Sequence, residues 1–271
     1  MRQYRRIARV VLTTAAGLTA ITLAADNPAF QPRVEQWSVE EIVLHSARTH
    51  ANPFGEVTLQ CRFRSAGREV VADGLYDGDA TWRVRLMPET RGQWTFATES
   101  NDPDLNGRGG SFEVGVPAAG NHGPVRVHDK YHFAYADGTP YFLMGTTFYA
   151  WLLGDADTEK RTLETLAHGP FNKVRFMLLP FAFGPPSDRN SPFIRGSNGK
   201  PDLDRFQTEY FARYERGIRE LAALGIEADI ILLHPYDPGP LRHRSGAHRE
   251  LLPLRRLPIR CLSQRLVDSD E

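Results

Sequence analysis

The stretch Tyr141–Trp151, YFLMGTTFYAW, decides how the chain is read. A turn, Asp137-Gly138-Thr139-Pro140, stands just before it, and its apolar run breaks at Gly145 into two threonines and an aromatic cluster, Phe148, Tyr149 and Trp151. A short apolar run bounded by turn signals suits a strand buried on both faces. Ahead of it the pattern is all-β; behind it strands alternate with helices. The stretch therefore marks a domain boundary and the first strand of a parallel (β/α) unit. Residues just past such a strand lie in a βα loop, where barrel enzymes build their sites. Tyr149 and Trp151 either face a ligand there or pack a core, the commoner use of aromatics.

Working back from the stretch, Val34 to about Pro117 reads as short strands and turns. VTLQCRF (Val57–Phe63) alternates, and TWRVRLMP (Thr81–Pro88) places Trp82, Val84 and Leu86 on one face with Arg83 and Arg85 on the other. Turns are expected at Asn52-Pro53, Asp77-Gly78, Arg91-Gly92 and Gly109-Gly110. GQWTFATES (Gly92–Ser100) and SFEVGV (Ser111–Val116) complete strands at sandwich spacing. Trp82 and Trp94 are most simply inter-sheet core, with an exposed sugar platform as the rarer use. PAAGNHG (Pro117–Gly123) is a linker by composition, and Val125–His128 and Tyr131–Tyr135 then read as a hairpin closing a barrel floor.

Working forward, Asp157-Thr158 is expected to cap a helix that turns Leu163 and Leu166 inward and ends at Gly169-Pro170. FNKVRFMLLP (Phe171–Pro180) is a second buried strand, and Arg175 within it needs a partner or a role. Phe181–Pro201 reads as a long functional loop. Asp202 or Asp204 is expected to cap the next helix, whose stripe runs Phe206, Tyr210, Tyr214, Ile218, Leu221 and stops at Gly225. IEADIILLHPYD (Ile226–Asp237) is the third buried strand, finishing in His234, Tyr236 and Asp237. The fold class expected is thus multidomain: an all-β immunoglobulin-like sandwich over 34–117, then the first (β/α) units of an incomplete TIM barrel over 124–237.

Composition narrows the function. The 271 residues carry 33 basic and 33 acidic side chains, so no net field draws the chain to nucleic acid or anionic lipid. Residues 1–25 read as a signal peptide. Arg2, Arg5, Arg6 and Arg9 precede an apolar stretch from Val10 to Leu23, and Thr22-Leu23-Ala24 offers small residues for cleavage. Thr13, Thr14, Gly17 and Thr19 make it weakly apolar for a lone anchor. A secreted or periplasmic chain with no stable membrane association follows. With only Cys61 and Cys261, no disulfide framework is expected. No metal and no cofactor are expected, since no second His or Cys stands at ligand spacing on an ordered element.

GLYDGDATWRVRLMPETRGQWTF, DGTPYFLMGTTFYAW, FNKVRFMLLP and LGIEADIILLHPYD together resemble the apiosidase-like glycoside hydrolases. These are (β/α)8-barrel enzymes with an N-terminal immunoglobulin-like domain of unknown function. The resemblance covers about three quarters of the chain, from Val34 to Asp237. It implies a sugar subsite shaped by an Arg on the second barrel strand and a His on the third, places held here by Arg175 and His234. The substrate-binding set expected is Tyr149, Trp151, Arg175, His234, Tyr236 and Asp237, converging at one mouth. An Arg fork can hold a carboxylate ionised and a His can donate to a sugar hydroxyl; a satisfied core histidine is the alternative for His234.

No catalytic residue is assigned. Retaining hydrolysis needs two carboxylates about 5–5.5 Å apart. The resemblance implies glutamates at the ends of strands four and seven, and only Glu250 and Glu271 follow the third strand. From 238 to 271 the chain is Arg-rich, carries Pro253 and Pro258 and has no sustained period. This tail reads as aberrant, the product of a frameshift after Asp237 that leaves the chain about five strands short of a barrel and inactive. The expected function is a glycoside-hydrolase-family protein with a carbohydrate ligand; the alternatives are a non-catalytic carbohydrate-binding protein or a fragment without function.

Overall fold

The computed structural model describes residues 33–178 and 190–232, which belong to one compact unit. The expected signal segment, the tail from 238 onward, and His234, Tyr236 and Asp237 lie outside the described residues.

The first half is built from β1 (Arg33–Glu35), β2 (Glu40–His45), a short helix α1 (Pro53–Glu56), β3 (Leu59–Ser65), β4 (Arg68–Asp73), β5 (Leu75–Gly78), β6 (Thr81–Leu86), β7 (Gly92–Ser100) and β8 (Gly109–Gly115). They form two sheets, ordered β1-β8-β7-β3-β4 and β2-β6-β5. All pairings are antiparallel except β1 with β8. The alternation of β3 sends Leu59, Cys61 and Phe63 inward, while β6 sends Trp82, Val84 and Leu86 to the same core. Trp94 and Phe112 stack in parallel at 6.4 Å, and the Trp94 indole N–H donates to the Thr90 carbonyl at 3.0 Å. Both Trp82 and Trp94 are core residues.

Turn expectations are corrected here: Asp77-Gly78 lies in β5 and the turn follows it at Asp79-Ala80, and Gly92 already opens β7. Asn52-Pro53 begins α1, because the Asn52 side chain accepts the Phe54 N–H and Pro53 starts the helix with its φ preset. Gly109-Gly110 begins strand β8, where Gly110 pairs with Phe96; a Cβ there would lie 2.7 Å from the Phe96 ring. The glycine admits a cross-strand aromatic rather than a turn.

Next, β9 (Val125–His128), β10 (His132–Tyr135) and β11 (Pro140–Tyr141) make a small antiparallel sheet. The expected single buried strand over Tyr141–Trp151 is in fact divided. Tyr141 ends β11, and a new strand β12 spans Gly145–Thr147. Between them Phe142, Leu143 and Met144 are 82%, 52% and 51% exposed. Asn172 accounts for the break: it takes the Met144 N–H on its side-chain oxygen and gives its amide to the Phe142 carbonyl, so these backbone groups need no sheet partner.

A 3-10 turn at Trp151–Leu153 leads to α2 (Ala156–Ala167), capped by Asp155, whose carboxylate accepts the Thr158 N–H at 2.7 Å; the cap is Asp155 rather than the expected Asp157. Strand β13 (Lys173–Met177) follows. Of the expected loop Phe181–Pro201, residues 181–189 lie outside the described residues, and the remainder holds strand β14 (Phe193–Arg195), which pairs with β15 (Pro201–Phe206). Asp202 and Asp204 therefore lie in a strand and cap no helix. α3 (Thr208–Ala223) begins after Gln207, which makes no side-chain cap, and stops before Gly225. Its stripe of Tyr210, Tyr214, Ile218 and Leu221 is buried as the i, i+4 spacing requires.

Strand β16 (Glu227–Ile231) completes a parallel sheet ordered β12-β13-β16. Among the described residues no sheet closes into a barrel, and no helix is long and apolar enough to cross a membrane.

The two halves meet through α3. Arg85, on the face opposite Trp82, Val84 and Leu86, is buried, because α3 covers that side of β6. Its guanidinium reaches Glu215 at 2.5 and 2.9 Å and Glu41 at 2.6 Å. Arg205 donates to the Ala51 carbonyl at 2.6 Å, Asn52 donates to the Asp204 carbonyl, and the Phe54 ring meets Tyr76 and Phe206 edge-on.

Candidate functional site

The parallel sheet has two chemically opposite faces, and its register fixes which residues share each. Val174, Phe176 and Ile230 point to the helices and join the second core with Leu166, Tyr210 and Tyr214. The other face carries the row Gly145–Lys173–Glu227 and, one step nearer the carboxyl ends, the row Thr147–Arg175–Asp229. Alternating KVRFM and EADII place basic residues beside acidic ones at every second position.

Asp229 is the electrostatic centre of this face. One of its oxygens accepts Arg175 Nε at 3.0 Å and lies 2.9 Å from the second Arg175 nitrogen and 3.0 Å from Lys173 Nζ. The partner that Arg175 needs is therefore Asp229 on the neighbouring strand. Sequence reasoning missed Asp229, Lys173 and Glu227. Their signal was the match of charges at alternate positions in two otherwise apolar strands. Beneath them the Tyr141 hydroxyl donates to the Asn172 carbonyl at 3.0 Å. Burial, followed by the negative charges of Glu227 and Asp229, pushes the Tyr141 phenol well above its usual range.

At the carboxyl ends the ladder runs on past the strands. Phe148 N–H donates to the Arg175 carbonyl at 3.0 Å, Met177 N–H to the Tyr149 carbonyl at 3.1 Å, and Leu178 N–H to the Ile231 carbonyl at 3.0 Å. From behind, Tyr214 donates its hydroxyl to the Met177 carbonyl at 2.8 Å and Tyr210 bonds the Leu178 carbonyl. These bonds hold the rim from which the segment after β13 departs. Burial drives both phenols above their usual range, so they remain neutral donors.

Of the six residues expected to line a mouth, three lie among the described residues. Tyr149 stands at the rim, 43% exposed. Arg175 lies one row below it, its side chain half exposed and tied to Asp229. Trp151 is taken into the core instead of presenting its face. It is 4% exposed, meets Phe176 edge-on at 5.8 Å and packs against α3 at Gly217. Gly217 permits that contact, since a Cβ there would fall 2.7 Å from Leu152 and 3.1 Å from the Trp151 ring. The structure thus sets Tyr149, two residues past β12, beside β13, which carries Arg175, and withdraws Trp151 behind them. Among the described residues no group of His, Cys, Asp and Glu has the arrangement of a metal site.

Residues 33–101, most of the two-sheet half, match a family described as a domain of unknown function, DUF5060. A solved structure of a candidate glycoside hydrolase from Bacteroides vulgatus superposes with a TM-score of 0.70 at 38% identity; the match covers 77% of this chain and 43% of that one. The chain therefore spans less than half the length of that relative. Two further structures align more slightly. A glycoside hydrolase of family 5 from Bacteroides vulgatus has a TM-score of 0.27 at 18% identity, over 41% of this chain and 24% of that one. A family 39 glycoside hydrolase from Bacteroides cellulosilyticus has a TM-score of 0.23 at 12% identity, over 74% and 32%. Likenesses that slight carry no argument. No curated protein matches the chain.

Proposed function

We propose that this chain is part of an exported carbohydrate-active protein of the glycoside hydrolase class, in which an immunoglobulin-like sandwich precedes the opening units of a (β/α)8 barrel. The observation that carries this reading is the 38% identity to the Bacteroides vulgatus candidate glycoside hydrolase over 77% of the chain. The parallel order β12-β13-β16, with helices on its apolar face and charges on the other, suits the inner wall of such a barrel.

The carbohydrate would bind at the carboxyl ends of these strands. Tyr149 offers a half-exposed ring and a hydroxyl. Arg175, oriented by Asp229, offers its remaining N–H groups. His234, Tyr236 and Asp237, which follow β16 in sequence, would complete the mouth. Trp151 would act from behind, backing the loop that carries Tyr149. Asp229 is neutralised by Lys173 and Arg175 and lies below the rim, so it fits an orienting role and not that of nucleophile. The acid/base and nucleophile of the whole protein are assigned to strands beyond β16. This chemistry needs no metal or cofactor.

Saturation-transfer NMR of the full chain with a panel of plant and bacterial oligosaccharides tests the reading, alongside release of reducing ends from the parent polysaccharides. Transfer to at least one oligosaccharide, reduced by Tyr149→Ala and by Arg175→Ala, is the expected result. No transfer from any member of the panel, or transfer untouched by both substitutions, would refute it.

A further inference from the structure

The outer face of the five-stranded sheet, far in sequence from the parallel strands, holds a cavity of about 270 Å³. Its floor follows one row of the register, Val71–Arg62–Ala97–Gly109. The small residues Ala97 and Gly109 leave the row low. On one bank stands the row Glu69–Arg64–Thr95; on the other, Asp73–Gln60–Glu99. The result is a trough across the strands, and its polar groups are arranged in a specific way.

Glu69 holds both arginines. Arg64 gives it Nε at 2.7 Å and Arg62 gives it Nη1, and the two guanidinium groups keep its carboxyl below the usual range. Each arginine thereby gives Glu69 one N–H. Among the described residues no further partner engages their remaining N–H groups. Across the trough Gln60 donates its amide to Asp73 at 3.0 Å and carries a side-chain oxygen that can accept. Glu99 is exposed and supplies a second acceptor. The cavity thus offers pre-oriented planar donors on one side and acceptors on the other, with Val71, 46% exposed, as an apolar contact.

We infer that this trough is a binding site for a neutral saccharide chain, distinct from the mouth of the parallel sheet. Two cations facing Glu69, Glu99 and Asp73 give no positive field, which disfavours nucleic acid and other polyanions. The charged side chains on both banks, Arg64 and Glu69 on one and Asp73 and Glu99 on the other, disfavour lipid. A vicinal diol donates and accepts within one ring, and that is the inventory presented here. The size falls just below the range of drug-sized pockets, about 300–1,000 Å³, and suits one or two sugar rings. This assignment does not depend on the reading of the parallel sheet as a glycosidase.

The test is affinity electrophoresis of the full chain in native gels containing xyloglucan, galactomannan or arabinan, with polygalacturonate as an acidic comparison. Retardation is expected in at least one neutral gel. Arg62→Ala and, separately, Ala97→Trp, which fills the floor from an exposed position, are each expected to weaken it about tenfold, the value of one or two hydrogen bonds. Urea midpoints of both variants establish that they are folded, and Glu99→Gln provides a third variant that leaves the Arg–Glu pairs intact. The inference is overturned by the absence of retardation in every neutral gel, by retardation confined to polygalacturonate, or by retardation that survives in all the variants. The last outcome would leave the mouth of the parallel sheet as the sugar site.

Discussion

Replacing Arg85 by alanine is expected to lower the stability of the folded chain by about 3 kcal/mol. The side chains of Arg85 and Glu215 are only 2% and 8% exposed, and two guanidinium N–H groups meet the carboxylate at 2.5 and 2.9 Å. Removing one partner of a buried pair typically costs about 3–5 kcal/mol, because the other charge is left without compensation. Glu215 keeps Arg219 at 3.5 Å, but that side chain is 58% exposed and screened, so the lower end applies. With a urea slope of about 3 kcal/mol per M, the midpoint should fall by about 1 M, followed by tryptophan fluorescence and far-ultraviolet circular dichroism on the full chain. The double variant Arg85→Met/Glu215→Leu should recover most of the loss, since an apolar pair of similar volume carries no desolvation cost. A shift under about 0.3 M, the size of a surface ion pair, would refute the reasoning. So would a double variant as unstable as the two single changes added together.

Three further outcomes follow from other residues. Burial alone would raise the Asp102 carboxyl, but hydrogen bonds from Ser46, His50 and the Asp104 N–H outweigh it and hold the group below its ordinary 3.8. A depressed folded-state value gives stability that is present above the unfolded value and lost as pH falls through the folded one. Asp102→Asn should therefore flatten the fall of the urea midpoint below about pH 4, and an unchanged slope there would contradict the assignment. Burial pushes the Cys61 thiol up to about 12, so in a Cys261→Ala background it should not react with Ellman's reagent at pH 8 until denaturant is added. Gly217→Ala places a Cβ 2.7 Å from Leu152, and overpacking of about 1–3 kcal/mol should outweigh the roughly 1 kcal/mol gain in helix propensity. A stabilised variant, by differential scanning calorimetry, would show that Trp151 and Leu152 are not packed as described.

β3, β6 and β7 were legible in the sequence because one face of each is buried by a second layer, whereas β9 was legible from its β-branched residues although it has no buried face. β7 and β9 occupy the residues expected, and β3 and β6 sit within a few residues of theirs. What misled was chemistry with more than one structural use. Asp202 and Asp204 are N-cap residues by type, but Lys200 and Arg205 lie in a hairpin whose partner strand, Phe193–Arg195, is too short to announce itself. The apolar run Phe142–Met144 read as buried because periodicity carries no information about a side-chain amide 28 residues away. The burial of Arg85 could not be read for a similar reason: the helix that covers it arrives 130 residues later. At the candidate site, Arg175 announced itself as a charge in an apolar strand, while Glu227 and Asp229 went unremarked because two acids at the start of EADII look like strand-edge polarity until the register sets Asp229 opposite Arg175.

The contact between Arg85 and Glu215 also sets a timetable. At about 5–20 residues per second of synthesis, the 130 residues between them take roughly 7–26 s to emerge, while β-hairpins form in microseconds. The two-sheet half can therefore be complete on the ribosome long before α3 is made, with Arg85 held by Glu41 and still wetted by solvent. When α3 emerges it meets a finished surface with one guanidinium already oriented. Docking then desolvates one carboxylate against a fixed partner, with no need for two mobile charges to find each other. The earlier-made half would thus act as a template for the later one, and slow codons between β12 and α3 would lengthen the wait without exposing an unfinished core.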